Sequence, residues 1–181
     1  MTQSPNLPHY VALLARATAA SGDLGLTLYS INTDEAKLTL YRMSDRNLVR
    51  ALRDEMFGTP LDGWRANQFT SELGQQVWEG FATVAPPAGG GTHPVTAEVA
   101  TRLDLRGEAG QLEPGVYALS ASVPGADPEE APAATQWFMI SDLGLASWSG
   151  TDGLTVAVRG LSDAAARAGI DVALVSRGNA V

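Results

Sequence analysis

Apolar and polar residues alternate with a period of two along most of the chain, the signature of strands that bury one face. In Ala36–Arg42, Ala36, Leu38 and Leu40 share one face while Lys37, Thr39 and Tyr41 share the other. In Val95–Leu103, Val95, Ala97, Val99 and Leu103 oppose Thr96, Glu98 and Arg102. Pro114-Gly115 opens a further strand, with proline presetting φ and glycine supplying the permissive position. That strand turns Tyr117, Leu119, Ala121 and Val123 inward. Adding strands near 9–15, 25–31, 76–84 and 135–141 predicts about seven, the number of an Ig-like antiparallel β-sandwich. Leu38, Leu40, Val99, Tyr117, Leu119 and Trp137 are the expected core, and Val11–Ala15 the expected edge strand.

One segment departs from the β rhythm. Ser44 and Asp45 read as helix-capping residues, after which Leu48, Val49, Leu52 and Met56 recur at helical spacing. A helix over 45–56 is expected to dock through Leu48 and Leu52, with Arg50 and Asp54 paired on its outer face. A second short helix is expected over 65–73, after Asp62-Gly63. Together they form a helical insertion, 44–74, between two strands of the sandwich, covering one end or one face. The Pro- and Gly-rich stretches 85–94 and 124–134 read as hairpin loops.

After Ser141-Asp142 the alternation restarts. Leu154, Val156 and Val158 share one face, as do Ile170, Val172 and Leu174. About three strands of a second unit are expected, too few to close a sandwich. The resulting division is a lead-in with the first strand (1–25), a sandwich (26–141) and a partial second sandwich (142–181).

Composition narrows the chemistry. Nineteen glycines and ten prolines fit many short strands joined by turns. A net charge of −8 opposes nucleic acid as a partner, because phosphate contacts need a basic surface. Without cysteine, the chain has no disulfide, no thiolate ligand and no cysteine nucleophile or thioester. The apolar run Val11–Ala15 is broken by Arg16 and is too short to span a membrane, so no direct membrane insertion is expected.

Candidate sites are sparse. His9 and His93 each adjoin a proline, and no nucleophile elbow or metal-binding helix motif accompanies them. Gly89-Gly90-Gly91 precedes no helix and is not a phosphate cradle. Asp127, Glu129 and Glu130 lie in a Pro-rich loop, a poor cage for calcium. Arg42, Arg46, Arg50 and Arg53 are the one basic concentration, read as a solvated helix face over an anion site. Trp78, Trp137 and Trp148 sit in or beside apolar strands and read as core or interdomain packing. Trp64, in the polar Asp62–Arg65 turn, is the candidate exposed anchor. The sequence thus assigns no catalytic residue, no cofactor and no metal.

Four segments, in order, carry a resemblance: Leu40–Asp54, Val77-Trp-Glu-Gly80, Leu112-Glu-Pro-Gly-Val-Tyr117 and Trp137-Phe-Met-Ile-Ser-Asp-Leu-Gly-Leu145. From about residue 26 onward the chain resembles the N-terminal half of the bacterial alpha-2-macroglobulins. It departs from their pattern before Ala168–Val172, where the family usually has a Pro or Gly-Lys-Pro-like turn. The resemblance implies macroglobulin-like sandwich domains and a scaffold segment of an endopeptidase inhibitor, a periplasmic, membrane-associated protease trap. Its partners would be neighbouring macroglobulin-like domains, with proteases met only through the full-length protein. The bait region and thioester would lie elsewhere, and the signal peptide upstream, making this an internal segment. The competing expectation is an Ig-like binding module of a surface adhesin or carbohydrate-active protein, marked by a row of exposed aromatics that includes Trp64. A third expectation, an enzyme with a site in the helical insertion, needs a concave pocket with converging titratable groups.

Overall fold

A computed structural model of the chain describes residues 10–15, 25–84, 98–127 and 131–176. Strands β1 (Tyr10–Ala15), β2 (Gly25–Ile31) and β5 (Val99–Asp104) form one antiparallel sheet in the order β1-β2-β5. Strands β3 (Glu35–Met43), β4 (Gly74–Thr83), β6 (Gly115–Ser122) and β7 (Ala134–Ile140) form a second, in the order β4-β3-β6-β7. Val11, Leu26, Leu28 and Leu103 from the first sheet meet Leu38, Leu40, Tyr117, Leu119 and Phe138 from the second in one buried cluster. This is the expected antiparallel sandwich. Tyr117 stacks on Phe138 with centroids 5.6 Å apart, and its hydroxyl donates to the Glu113 carbonyl at 2.7 Å. A tyrosine tied back to the backbone just upstream of its strand is a recurrent pin of Ig-like sandwiches. Val99 and Trp137, both expected in the core, are only half-buried.

The centre of the four-stranded sheet is buried on both faces. Along β6, Ala118 and Ser120 are buried as well as Tyr117, Leu119 and Ala121, so the strand lacks the expected solvent face. The covering layer is the insertion between β3 and β4. A 3-10 turn (Asp45–Asn47) leads into α1 (Leu48–Arg53), and α2 (Gly63–Glu72) follows. Tyr41, Met43, Ala51, Met56, Leu61, Phe69 and Leu73 form the second buried cluster beneath this layer. The neck of the insertion is closed by the Ser44 amide donating to the Leu73 carbonyl at 3.0 Å, beside Asn47 Nδ2 donating to the same carbonyl at 3.0 Å.

Here one expectation fails. Leu52 does not dock; it is 65% exposed, while Ala51 is fully buried and Leu48 packs partly against the cluster. The preceding 3-10 turn shifts the helical phase, and α1 lasts only six residues. Its end explains how Met56 still reaches the core. Glu55 adopts a left-handed φ of 51°, and the Met56 amide donates back to the Ala51 carbonyl at 2.9 Å. This 6→1 bond with an αL residue is a Schellman cap, which brings its last residue onto the helix's own apolar side.

A second correction concerns connections. The 124–134 stretch joins β6 to β7, which pair as a hairpin. The 85–94 stretch is not a hairpin loop, because β4 and β5 belong to different sheets. The stretch itself lies outside the described residues. Beyond the sandwich, α3 (Leu105–Ala109) follows β5, and β8 (Leu143–Gly150) pairs with β9 (Gly153–Gly160) as a separate two-stranded sheet. No third strand forms over Ile170–Leu174. That segment has no regular structure, and only an isolated bridge joins Arg159 to Ala166.

Candidate interaction surface

Among the described residues, the hairpin β8–β9 presents the largest group of exposed apolar side chains outside the sandwich. Gly150 and Gly153 are paired across a two-residue turn, Thr151-Asp152, and Gly153 takes a φ of 127° that other residues rarely adopt. From that register, Leu145 stands opposite Val158, Ser147 opposite Val156 and Ser149 opposite Leu154. Directly opposed residues share a face. Leu143, Leu145, Leu154, Val156 and Val158 therefore lie on one side of the ribbon, with Trp148, Thr155 and Arg159 on the other. Leu143, Leu145 and Leu154 are all exposed, Leu145 by 61%. Ile170, Val172 and Leu174, beyond the hairpin, are exposed as well. Among the described residues the outer part of this face, Leu143, Leu145 and Leu154, stays exposed, while Val156 and Val158 are half-buried.

The remaining candidates are modest. Trp64 is 71% exposed at the start of α2, as its polar turn suggests. Trp78 packs partly against the sandwich core, and Trp137 lies edge-on to Phe57 and Phe69 with its indole N–H donating to the Thr59 carbonyl at 3.0 Å. Trp148 is exposed and so takes no part in the core, which leaves the interdomain half of its reading. Among the described residues no ring contact involves Trp64 or Trp148.

Of the four arginines, Arg50 pairs with Asp54 at 3.5 Å and with Glu72, and Arg53 pairs with Asp54 at 3.0 Å. The neighbouring Arg53 and then Arg50 hold the Asp54 carboxyl below its ordinary range. Arg42 donates to the Pro114 carbonyl at 3.0 Å. Much of the expected basic face is thus engaged within the fold.

A groove of about 280 Å³ runs between the outer face of β3 and β6 and the start of α2, lined by Lys37, Thr39, Tyr41, Asp62, Ser120 and Ser122. Lys37 is taken up by Glu79 at 3.2 Å, and Ser120 donates to the Leu61 carbonyl at 3.0 Å. Burial pushes the Tyr41 phenol above its ordinary pKa, so it is protonated at neutral pH. These groups serve structural bonds, and no nucleophile–base pair converges there. Among the described residues no cluster of three His, Asp or Glu side chains could hold a metal, and no helix is long and apolar enough to cross a membrane. His9, His93, Glu129 and Glu130 lie outside the described residues.

No family model and no curated protein sequence matches the chain. Solved structures do. The crystal structure of native Escherichia coli alpha-2-macroglobulin spanning domains NIE-MG1 superposes with a TM-score of 0.63 at 18% identity, covering 91% of this chain and 75% of that one. The structure spanning MG0-NIE-MG1 matches at the same TM-score and 17% identity, over 96% of this chain and 52% of that one. In the cryo-EM reconstruction of the native E. coli protein the match spans 89% of this chain but 10% of the other, again with a TM-score of 0.63. The β-sandwich with its helical layer and trailing hairpin therefore has the fold of the NIE-MG1 region of a bacterial alpha-2-macroglobulin.

Proposed function

We propose that the chain is a scaffold segment of a bacterial alpha-2-macroglobulin-like protease trap, working in the periplasm and performing no catalysis of its own. The observation that carries this reading is the juxtaposition of a sandwich with a hairpin whose apolar face leaves Leu143, Leu145 and Leu154 exposed. Large apolar patches on soluble domains mark surfaces meant for a partner. A two-stranded sheet joined to a finished domain is what the start of a neighbouring β-domain would look like. The likeness to NIE-MG1 supports placing the sandwich in the first domain of that pair and residues 142–181 at the start of the second. The partners are then adjacent macroglobulin-like domains of a longer parent, and bait region and thioester lie outside this segment. A stand-alone binding module would read through an aromatic platform, and Trp64 has no aromatic companion among the described residues.

The test is to incubate the purified chain with several endopeptidases and assay them on a protein and on a small chromogenic substrate. Both activities should remain intact, because trapping needs an enclosing framework and a tethered bait. Stoichiometric loss of either would show direct contact with proteases and overturn the scaffold assignment. In parallel, the chain should self-associate at high concentration through the hairpin face, and Leu145→Asp should return it to monomer.

A further inference from the structure

We infer that Arg167 and Gly160 form a clasp that keeps the β8–β9 hairpin folded before any third strand joins it. A two-stranded hairpin is at best marginal in water, and here β8 is exposed along almost its whole length and the side chains of β9 are at most half-buried. Gly160, the last residue of β9, is the one position of the two strands that is buried.

What buries Gly160 is the clasp. The Arg167 guanidinium reaches the Asp163 carboxylate through Nη1 and Nη2, each at 3.1 Å, and Asp142 at 3.4 Å. A Cβ on Gly160 would lie 2.2 Å from Arg167 Nη2 and 2.4 Å from Asp163 Oδ1. Gly160 has no left-handed φ, so the glycine is there for space: the ion pair rests directly on its backbone.

The same cluster closes the open end of the ribbon. The Leu161 amide donates to the Asp142 carbonyl at 2.7 Å, and the Ser162 amide to the Asp142 carboxylate at 2.9 Å. The returning chain is fixed by the Arg167 amide donating to the Val158 carbonyl and the Gly160 amide donating to the Ala165 carbonyl. Ala164, with a left-handed φ of 57°, makes the turn between them. One exposed ion pair contributes little. Here a forked guanidinium bridges two carboxylates that also cap backbone amides, which fixes a geometry as well as adding charge attraction. The clasp joins residues 142 and 159–167 into a single unit and presents the apolar face preformed.

Amide hydrogen exchange on the full chain tests it. In Arg167→Ala, the Leu161 and Ser162 amides and the paired amides of β8 and β9 should exchange on the order of tenfold faster, while those of Leu38 and Leu119 keep their wild-type rates. Arg167→Lys, which keeps the charge and loses the fork, should fall between. Gly160→Ala should reproduce the Arg167→Ala pattern, and the double variant should be no faster than either alone, because both remove one contact. Trypsin should nick after Arg159 sooner in all four variants. Unchanged hairpin exchange in Arg167→Ala would overturn the inference. So would acceleration that spreads equally to Leu38 and Leu119, which would make the cluster part of the global fold and not a local device.

Discussion

Replacing Phe69 by alanine is the sharpest test of the helical layer. Phe69 is fully buried on α2 and lies edge-on to Tyr41 at 5.7 Å and to Trp137 at 5.9 Å. Phe→Ala in a packed core costs about 3–5 kcal/mol. Each edge-to-face aromatic pair adds about 0.5–1.5 kcal/mol beyond area burial, so the upper half of that range, about 4–5 kcal/mol, is expected. The ring also fills the space beside Gly74, where a Cβ would come within 2.5 Å of Phe69 Cε1, so strand and helix are already in contact and cannot collapse far into the cavity. Urea unfolding followed by tryptophan fluorescence is the assay, since Trp137 borders the site and reports its loss directly. Leu52→Ala is the internal control: on the same layer but 65% exposed, it should change stability by less than about 0.5 kcal/mol. Should Phe69→Ala cost under about 1 kcal/mol, or Leu52→Ala cost as much as Phe69→Ala, the helices are not a second core and the two-faced sheet is misread.

Three further outcomes follow from the geometry. Tyr117→Phe removes the donor to the Glu113 carbonyl at 2.7 Å while keeping the ring stack, and should cost about 1 kcal/mol in the same unfolding assay. Gly74→Ala would set a Cβ 2.3 Å from the Arg42 carbonyl oxygen, so a loss of about 1–3 kcal/mol from overpacking is expected. Acidification should open the clasp: the Ser162 bonds chiefly hold Asp142, and the Ala165 amide with Arg167 holds Asp163, below the ordinary carboxylate range, while Arg167 is held above its own. Depressed carboxylate pKa values stabilise the folded form above the unfolded value, about 3.9, and that contribution disappears as pH falls through the folded values. Arg167, raised above its ordinary range, stays protonated throughout. Exchange at Ser162 should therefore be flat from neutral pH down to about 5 and rise, after correction for intrinsic rate, only below the ordinary carboxylate range.

Period-two alternation determined most of this architecture without help from tertiary structure. Ala36, Leu38 and Leu40, or Tyr117, Leu119 and Ala121, fall on one pleated face whatever lies opposite, because successive Cβ atoms point to opposite sides of a strand. Strand β9 of the hairpin was legible for the same reason, in Leu154, Val156 and Val158. The phase of α1 was not legible. Helical spacing alone favoured Leu52, but a 3-10 turn before the helix and an αL residue after it decided that Ala51 and Met56 face the sheet. Local sequence does not reveal which strands pair, so the stretch after β4 resembled a hairpin loop although β4 and β5 lie in different sheets. Alternation at Ile170, Val172 and Leu174 likewise made no strand, since a strand needs a partner to satisfy its backbone groups. The clasp was invisible in the sequence. Asp142, Gly160, Asp163 and Arg167 are unremarkable surface residues until the hairpin's fold brings both ends of the ribbon together, and only then does the space above one glycine become a seat for an ion pair.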